Sequence, residues 1–136
     1  MKIKFWLFAL AAIMSLSAAV VADEATDEYK KLMQPAAAAN VNLQKVVQTD
    51  LAAAAQSAMD VQAGFAKIEA FWTKRGTADA VGLSKAIQAA AKDAHDAAVA
   101  GNKDAAAAAA MKIGASCGGC HMAHRTRLPD GTFELK

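Results

Sequence analysis

Apolar residues recur along this chain at alternating intervals of three and four, the spacing that gathers them on one face of an α-helix. From Thr26 to Gln48 the seam is Tyr29, Leu32, Ala36, Ala39, Leu43 and Val46. Pro35 falls inside it, where a proline either kinks a helix or opens a new one; a kink is expected. From Asp50 to Lys74 the seam is unbroken: Leu51, Ala54, Ala58, Val61, Phe65, Ile68 and Trp72. Asp50 suits the N-cap, and Gly76 after Arg75 suits the C-terminal stop. A third segment runs from Thr77, a candidate N-cap, to Ala100, with Ala80, Leu83, Ile87, Ala90, Ala94 and Ala97 as its seam. Gly101 ends it. The fourth runs from Asn102, again an N-cap type, to about Arg125, with Ala106, Ala110, Ile113, Cys117, Cys120 and His124 in line. Pro129-Asp130-Gly131 marks a turn in the tail. The connections are a few residues long, so successive helices are expected to run antiparallel. The pattern therefore predicts an all-α fold, an antiparallel up-down-up-down four-helix bundle. No internal repeat competes with it.

Composition changes this picture in one respect. Alanine accounts for 37 of 136 residues, while Gly is 8 and Pro 2, which suits helix and excludes collagen-like or Pro/Gly-rich disordered chains. Alanine brings little area to bury, and a large side chain contributes only ~1.5–3 kcal/mol when buried. From Tyr29 to Leu135 there are 24 large apolar or aromatic residues. The core is thin, and something beyond side chains is expected to help fill it.

The first residues carry a different signal. Lys2 and Lys4 precede an uncharged run of 18 residues from Phe5 to Ala22, ending in small residues. A positive start, a short apolar stretch and a small-residue site read as a secretory signal peptide, with Val20 and Ala22 at positions −3 and −1 of a cleavage after Ala22. The competing reading is an uncleaved membrane anchor, since the run sits at the lower limit for spanning. The expectation is a cleaved segment, 1–22, and a single four-helix-bundle domain, 23–136, exported to the periplasm. No later segment is apolar enough to span a membrane. Without Lys2 and Lys4 the chain has 13 basic and 13 acidic residues, and no basic block. Nucleic-acid binding then has no electrostatic footprint.

The candidate chemistry is concentrated in Cys117-Gly118-Gly119-Cys120-His121. Cys-x-x-Cys-His is the attachment signature of c-type haem. Thiols three positions apart on a helix project from one side, so they can add to the two vinyl groups of one haem. His121, four after Cys117, can supply the proximal iron ligand. Gly118 and Gly119, with Gly114 one turn upstream, leave room for a macrocycle. Three other readings use the same residues. A redox dithiol expects a βαβ setting. A zinc site of Cys117, Cys120, His121 and His124 would draw every ligand from one helix. A plain disulfide is open to an exported chain.

Cys117-Gly-Gly-Cys120-His121-Met-Ala-His124-Arg125, near the C-terminus of a four-helix chain, resembles the cytochrome c-prime family, the class II c-type cytochromes. The likeness extends over 23–136 in length and helix count, and its specific motif covers 117–125. It implies one covalently bound haem c, with its iron, near the end of the last helix. It also implies two kinds of member. Low-spin members add a Met from the first helix and transfer electrons. High-spin members leave the distal face open and bind small gases such as nitric oxide or carbon monoxide. Lys31-Leu32-Met33 is similar to the first-helix stretch of low-spin members.

Helix arithmetic supports Met33 separately. It lies roughly 10 Å from its helix start and His121 roughly 6 Å from its helix end, at 1.5 Å per residue. In antiparallel helices these are nearly the same level. The competing reading of Met33 is ordinary core packing. Trp72 and Phe71, and Phe65 two turns deeper, are candidates for the haem pocket or simply for the core. Arg125, one turn after His121, is a candidate propionate contact. The expected protein is an electron carrier and not an enzyme, with unidentified redox partner proteins and a homodimer as a candidate assembly. Its alternative is a gas-binding protein.

Overall fold

The computed structural model describes residues 2–136, with side chains from Glu24 onward; the expected signal segment, 1–22, lies outside the residues described in full. Four helices follow one another: α1 (Lys2–Val46), α2 (Leu51–Arg75), α3 (Ala78–Val99) and α4 (Lys103–His124). A hairpin of two antiparallel three-residue strands, β1 (Arg125–Arg127) and β2 (Phe133–Leu135), closes the chain. The fold is helical and consistent with a four-helix bundle. α1 packs on α2, α2 on α3 and α3 on α4, while α1 meets α4 more sparingly and also touches β2. Among the described residues no helix is long and apolar enough to cross a membrane.

The helix ends follow local chemistry. The Asp50 carboxylate accepts from the Ala53 amide at 2.9 Å, and the Asn102 side-chain oxygen accepts from the Ala105 amide at 3.0 Å. Each satisfies a donor that a helix start leaves unpaired. Thr77, expected to cap α3, makes no such side-chain bond. Gly76 ends α2 in the left-handed conformation with φ 72°, which a residue without Cβ adopts freely. Pro35 does not end α1: the helix runs on to Val46 with the proline exposed to solvent. The carbonyl that loses its partner there can be hydrated.

The seams face inward as their spacing requires. Ala54, Ala58, Val61, Phe65, Ile68 and Trp72 of α2 are all buried. Among the described residues 22 hydrophobic positions are buried and 11 of them are alanine, so helix backbones rather than bulky side chains set much of the packing. Of the glycines, Gly64 of α2 is the most closely approached: an added Cβ would stand 2.9 Å from the Cβ of Ala36 on α1. α4 is the thinnest contributor. Its buried positions are Ala106, Ala109, Ala110, Ile113 and Cys120, and Ile113 is the only large side chain among them.

The tail departs from the helical expectation. Pro129-Asp130-Gly131 does form a turn, but it joins two strands in the register Arg125 to Leu135 and Arg127 to Phe133. The Asp130 carboxylate accepts from the Thr132 amide at 2.9 Å and from its hydroxyl at 2.7 Å, and Gly131 takes φ 85°. Residues 125–127 thus leave α4 as β-structure, and Arg125 belongs to the hairpin rather than to the helix.

Candidate functional site

Cys117 and Cys120 lie on the last two turns of α4, three residues apart and on one side of the helix. Both are free thiols; Cys120 is buried and Cys117 half-buried. Burial pushes both thiols above their usual range, more simply for Cys117, and for Cys120 with the neighbouring Cys117 and Asp79 adding to it. The Tyr29 side chain of α1 stands beside the Cys120 thiol, and burial raises the Tyr29 pKa well above that of a free phenol. His121 is half-buried. Burial lowers its pKa, and the Arg125 guanidinium lowers it further, which favours the neutral ring with a nitrogen lone pair to donate.

An aromatic cluster backs the thiols. Tyr29 lies 5.4 Å from Phe71 and 5.3 Å from Trp72, ring centre to ring centre, and Phe71 and Trp72 meet edge-on at 5.1 Å. These are separations at which ring quadrupoles attract. Trp72 also lies 5.1 Å from the His124 ring, and His124 Nε2 is 2.8 Å from the Asp79 carboxylate at the start of α3. Arg75 lies over Phe71 at 5.5 Å. Phe65 is buried deeper in α2, and among the described residues no ring pair joins it to this cluster.

Met33 is one turn after Tyr29 on α1 and half-buried. It lines a cavity of about 230 Å³ together with Tyr29, Arg125, Phe133 and Leu135. Of the residues expected from the sequence, Cys120, Phe71 and Trp72 therefore converge around Tyr29, while Met33 and Arg125 meet across the adjoining cavity. Tyr29, Asp79, Phe133 and Leu135 were not anticipated in the site. The signal for Tyr29 was its i, i+4 relation to Met33, which puts both on one face.

Several readings of the cysteines can be weighed here. The only sheet among the described residues is the terminal hairpin, so a βαβ dithiol setting is missing. Among the described residues no three His, Cys, Asp or Glu side chains group so as to hold a metal ion. The residues do suit a large, planar, partly anionic group. Between Ile113 and the end of α4 no large apolar side chain turns inward, and only Cys120 is buried. Two buried donors stand without partners beside the site, Trp72 Nε1 and Arg125 Nε. Such donors cost free energy unless something satisfies them. Gly114, Gly118 and Gly119 have nothing within 4 Å of where a Cβ would be, so their side of α4 is open rather than crowded. Comparison of the chain with family models, with curated proteins and with solved structures finds no match.

Proposed function

We propose that this protein is a periplasmic mono-haem c-type cytochrome that carries one electron. Cys117 and Cys120 hold haem c covalently, His121 is the proximal ligand and Met33 the distal one. The observation that carries this reading is that Met33 and Arg125 line one cavity, and Tyr29, which lines it too, stands beside Cys120. The thiol anchor and the thioether are thus brought to one end of the molecule. The contacts between α1 and α4 fit the antiparallel, up-down-up-down arrangement. Tyr29 meets Cys120, whereas Gln44, further along α1, donates to the Ala110 carbonyl, earlier on α4, at 2.7 Å. The short connections between helices fit it as well.

Haem c, when bound, supplies iron that cycles between two oxidation states, and a thioether ligand favours the reduced one. The rest is done by the chain. Phe71, Trp72 and Tyr29 provide an apolar, water-poor wall. Arg125 provides a cation with an unsatisfied nitrogen for a propionate. Burial of His121 favours its neutral, ligating form. The protein's partners are redox proteins of the same compartment.

One observation favours a second reading. The cavity beside Met33 has room for a diatomic molecule, which suits a five-coordinate protein binding nitric oxide or carbon monoxide. The two are separated by the visible spectrum of the purified ferric protein. A Met-to-iron charge-transfer band that vanishes in Met33→Ala supports electron transfer. A high-spin spectrum, with rapid carbon monoxide binding by the ferrous form, supports gas binding and removes Met33 as ligand. Haem staining after denaturing electrophoresis comes first, because a colourless chain ends both readings.

A further inference from the structure

The C-terminal hairpin packs Leu135 against the helical core and is tied down on both sides. The Leu135 amide donates to Thr26 Oγ1 of α1 at 3.3 Å. The Lys136 amide donates to the His124 carbonyl at 3.0 Å, and Lys136 Nζ to the Met122 carbonyl at 3.0 Å, both on α4. Strands of three residues do not hold together in water by themselves. What they gain comes from packing, and the apolar residues they pack are Phe133 and Leu135, which line the cavity beside Met33 and Tyr29. The Arg125 guanidinium sits 4.0 Å above the Phe133 ring, close enough for a cation–π attraction that holds both groups in place. β2 thus bridges α1 at Thr26 and the end of α4, and the cavity lies between α1 and the hairpin.

We propose that this hairpin is the distal wall of the haem site, and that Phe133 and Leu135 decide what reaches the Met33 side of it. This rests on the reading of Cys117, Cys120 and His121 as a haem site. The physical reason is exclusion. A thioether is a weak ligand that water or a diatomic molecule can replace, so its side of the haem must be kept dry and closed. On the Met33 side the cavity is lined by α1 and the hairpin, and two apolar side chains on the pinned strand form the wall that faces α1. Phe133 has a second task, because the ring that closes the cavity also orients Arg125.

The test uses the haem-loaded protein and removes the distal ligand first, so that access is read rather than ligand release. In the ferrous Met33→Ala protein, carbon monoxide association is followed by flash photolysis with and without Phe133→Ala/Leu135→Ala. The wall predicts an increase of roughly tenfold, a barrier change of about 1.4 kcal/mol. Thr26→Val, which removes the acceptor of the Leu135 amide while keeping both apolar side chains, should give a smaller increase and keeps the test open if the double variant folds poorly. Independently of the haem, hydrogen exchange should find the Leu135 and Lys136 amides protected in the parent chain and unprotected in the double variant. Covalent haem with an unchanged association rate overturns the wall and leaves the haem reading intact. A chain without covalent haem overturns both.

Discussion

Gly64 tests how closely these helices pack. A methyl group placed there would meet the Ala36 Cβ at 2.9 Å and the Ala36 Cα at 3.3 Å, whereas carbon atoms rest at about 3.5–4.0 Å. Ala36 is 1% exposed, and one of the two atoms is backbone, so no rotamer change relieves the overlap. α1 and α2 must move apart, which loosens the layer between them; overpacking of this kind costs about 1–3 kcal/mol. Against this, Gly→Ala in a helix interior gains about 0.8–1.0 kcal/mol. Gly82 on α3 isolates the gain, since nothing lies within 4 Å of its added Cβ. Gly82→Ala is therefore expected to stabilise by the full propensity term. Gly64→Ala should fall below it by about 1–3 kcal/mol, which is the overpacking cost alone. Denaturant unfolding of the haem-loaded protein, followed by far-UV circular dichroism, measures both. Adding Ala36→Gly to Gly64→Ala should recover part of the loss, with a coupling of about 0.5–3 kcal/mol in a double-mutant cycle. Equal stabilities for Gly64→Ala and Gly82→Ala would refute the close approach. The same shift has a functional consequence, because Ala36 lies three residues after Met33 on α1. If Met33 ligates the iron, Gly64→Ala should also weaken the thioether charge-transfer band.

Other outcomes follow from single features. Asp50→Ala and Asn102→Ala should each cost about 1 kcal/mol through loss of a helix cap, while Thr77→Ala should cost little, because Thr77 makes no cap bond; thermal melts rank the three. Hydrogen bonds from Thr132, its hydroxyl first and its amide second, hold the Asp130 carboxyl below the usual carboxylate range. A carboxylate with a depressed folded pKa stabilises the turn above the unfolded value and stops doing so as pH falls through the folded one. The Thr132 amide resonance should therefore titrate below the range of an unfolded Asp, and Asp130→Asn should abolish that titration. The double variant Cys117→Ala/Cys120→Ala, which cannot attach haem, should lose a cooperative melt. A variant that unfolds as the parent does would show that the core is sufficient without a bound group.

The helices were legible because two independent signals agreed on each. Apolar periodicity gave the inward face, and cap chemistry at Asp50, Asn102 and Gly76 gave the ends. Thr77 misled because a hydroxyl of the right type does not compel the bond; the backbone must present an amide to it. Pro35 was harder to judge, since its effect depends on whether water can reach the freed carbonyl, and its exposure on α1 is a tertiary property. The hairpin escaped notice for a simpler reason. Phe133, Glu134 and Leu135 alternate as a strand should, but three residues are too few for period two to be distinguished from chance. The turn between the strands was visible, and what flanked it was not.

The candidate site was legible as chemistry and not as an arrangement. The spacing of Cys117, Cys120 and His121 could be read directly, because a helix fixes which of them share a side. That Tyr29 meets Cys120, or that Phe133 closes on Met33, depends on how separate elements dock, and alanine-rich faces carry little information about docking register. Half of the buried hydrophobic positions among the described residues are alanine, and a small side chain accepts many neighbours. The large side chains are what single out one register, and at this end they belong to α1 and α2: Tyr29, Phe71 and Trp72. α4 answers them with two thiols and open glycine positions instead of apolar bulk. A helix so constituted has little reason of its own to hold that position against the aromatic cluster. The end of α4 where the core is poorest is also where the cysteines stand, and a group bonded to both thiols would supply at once the missing apolar surface and the missing register.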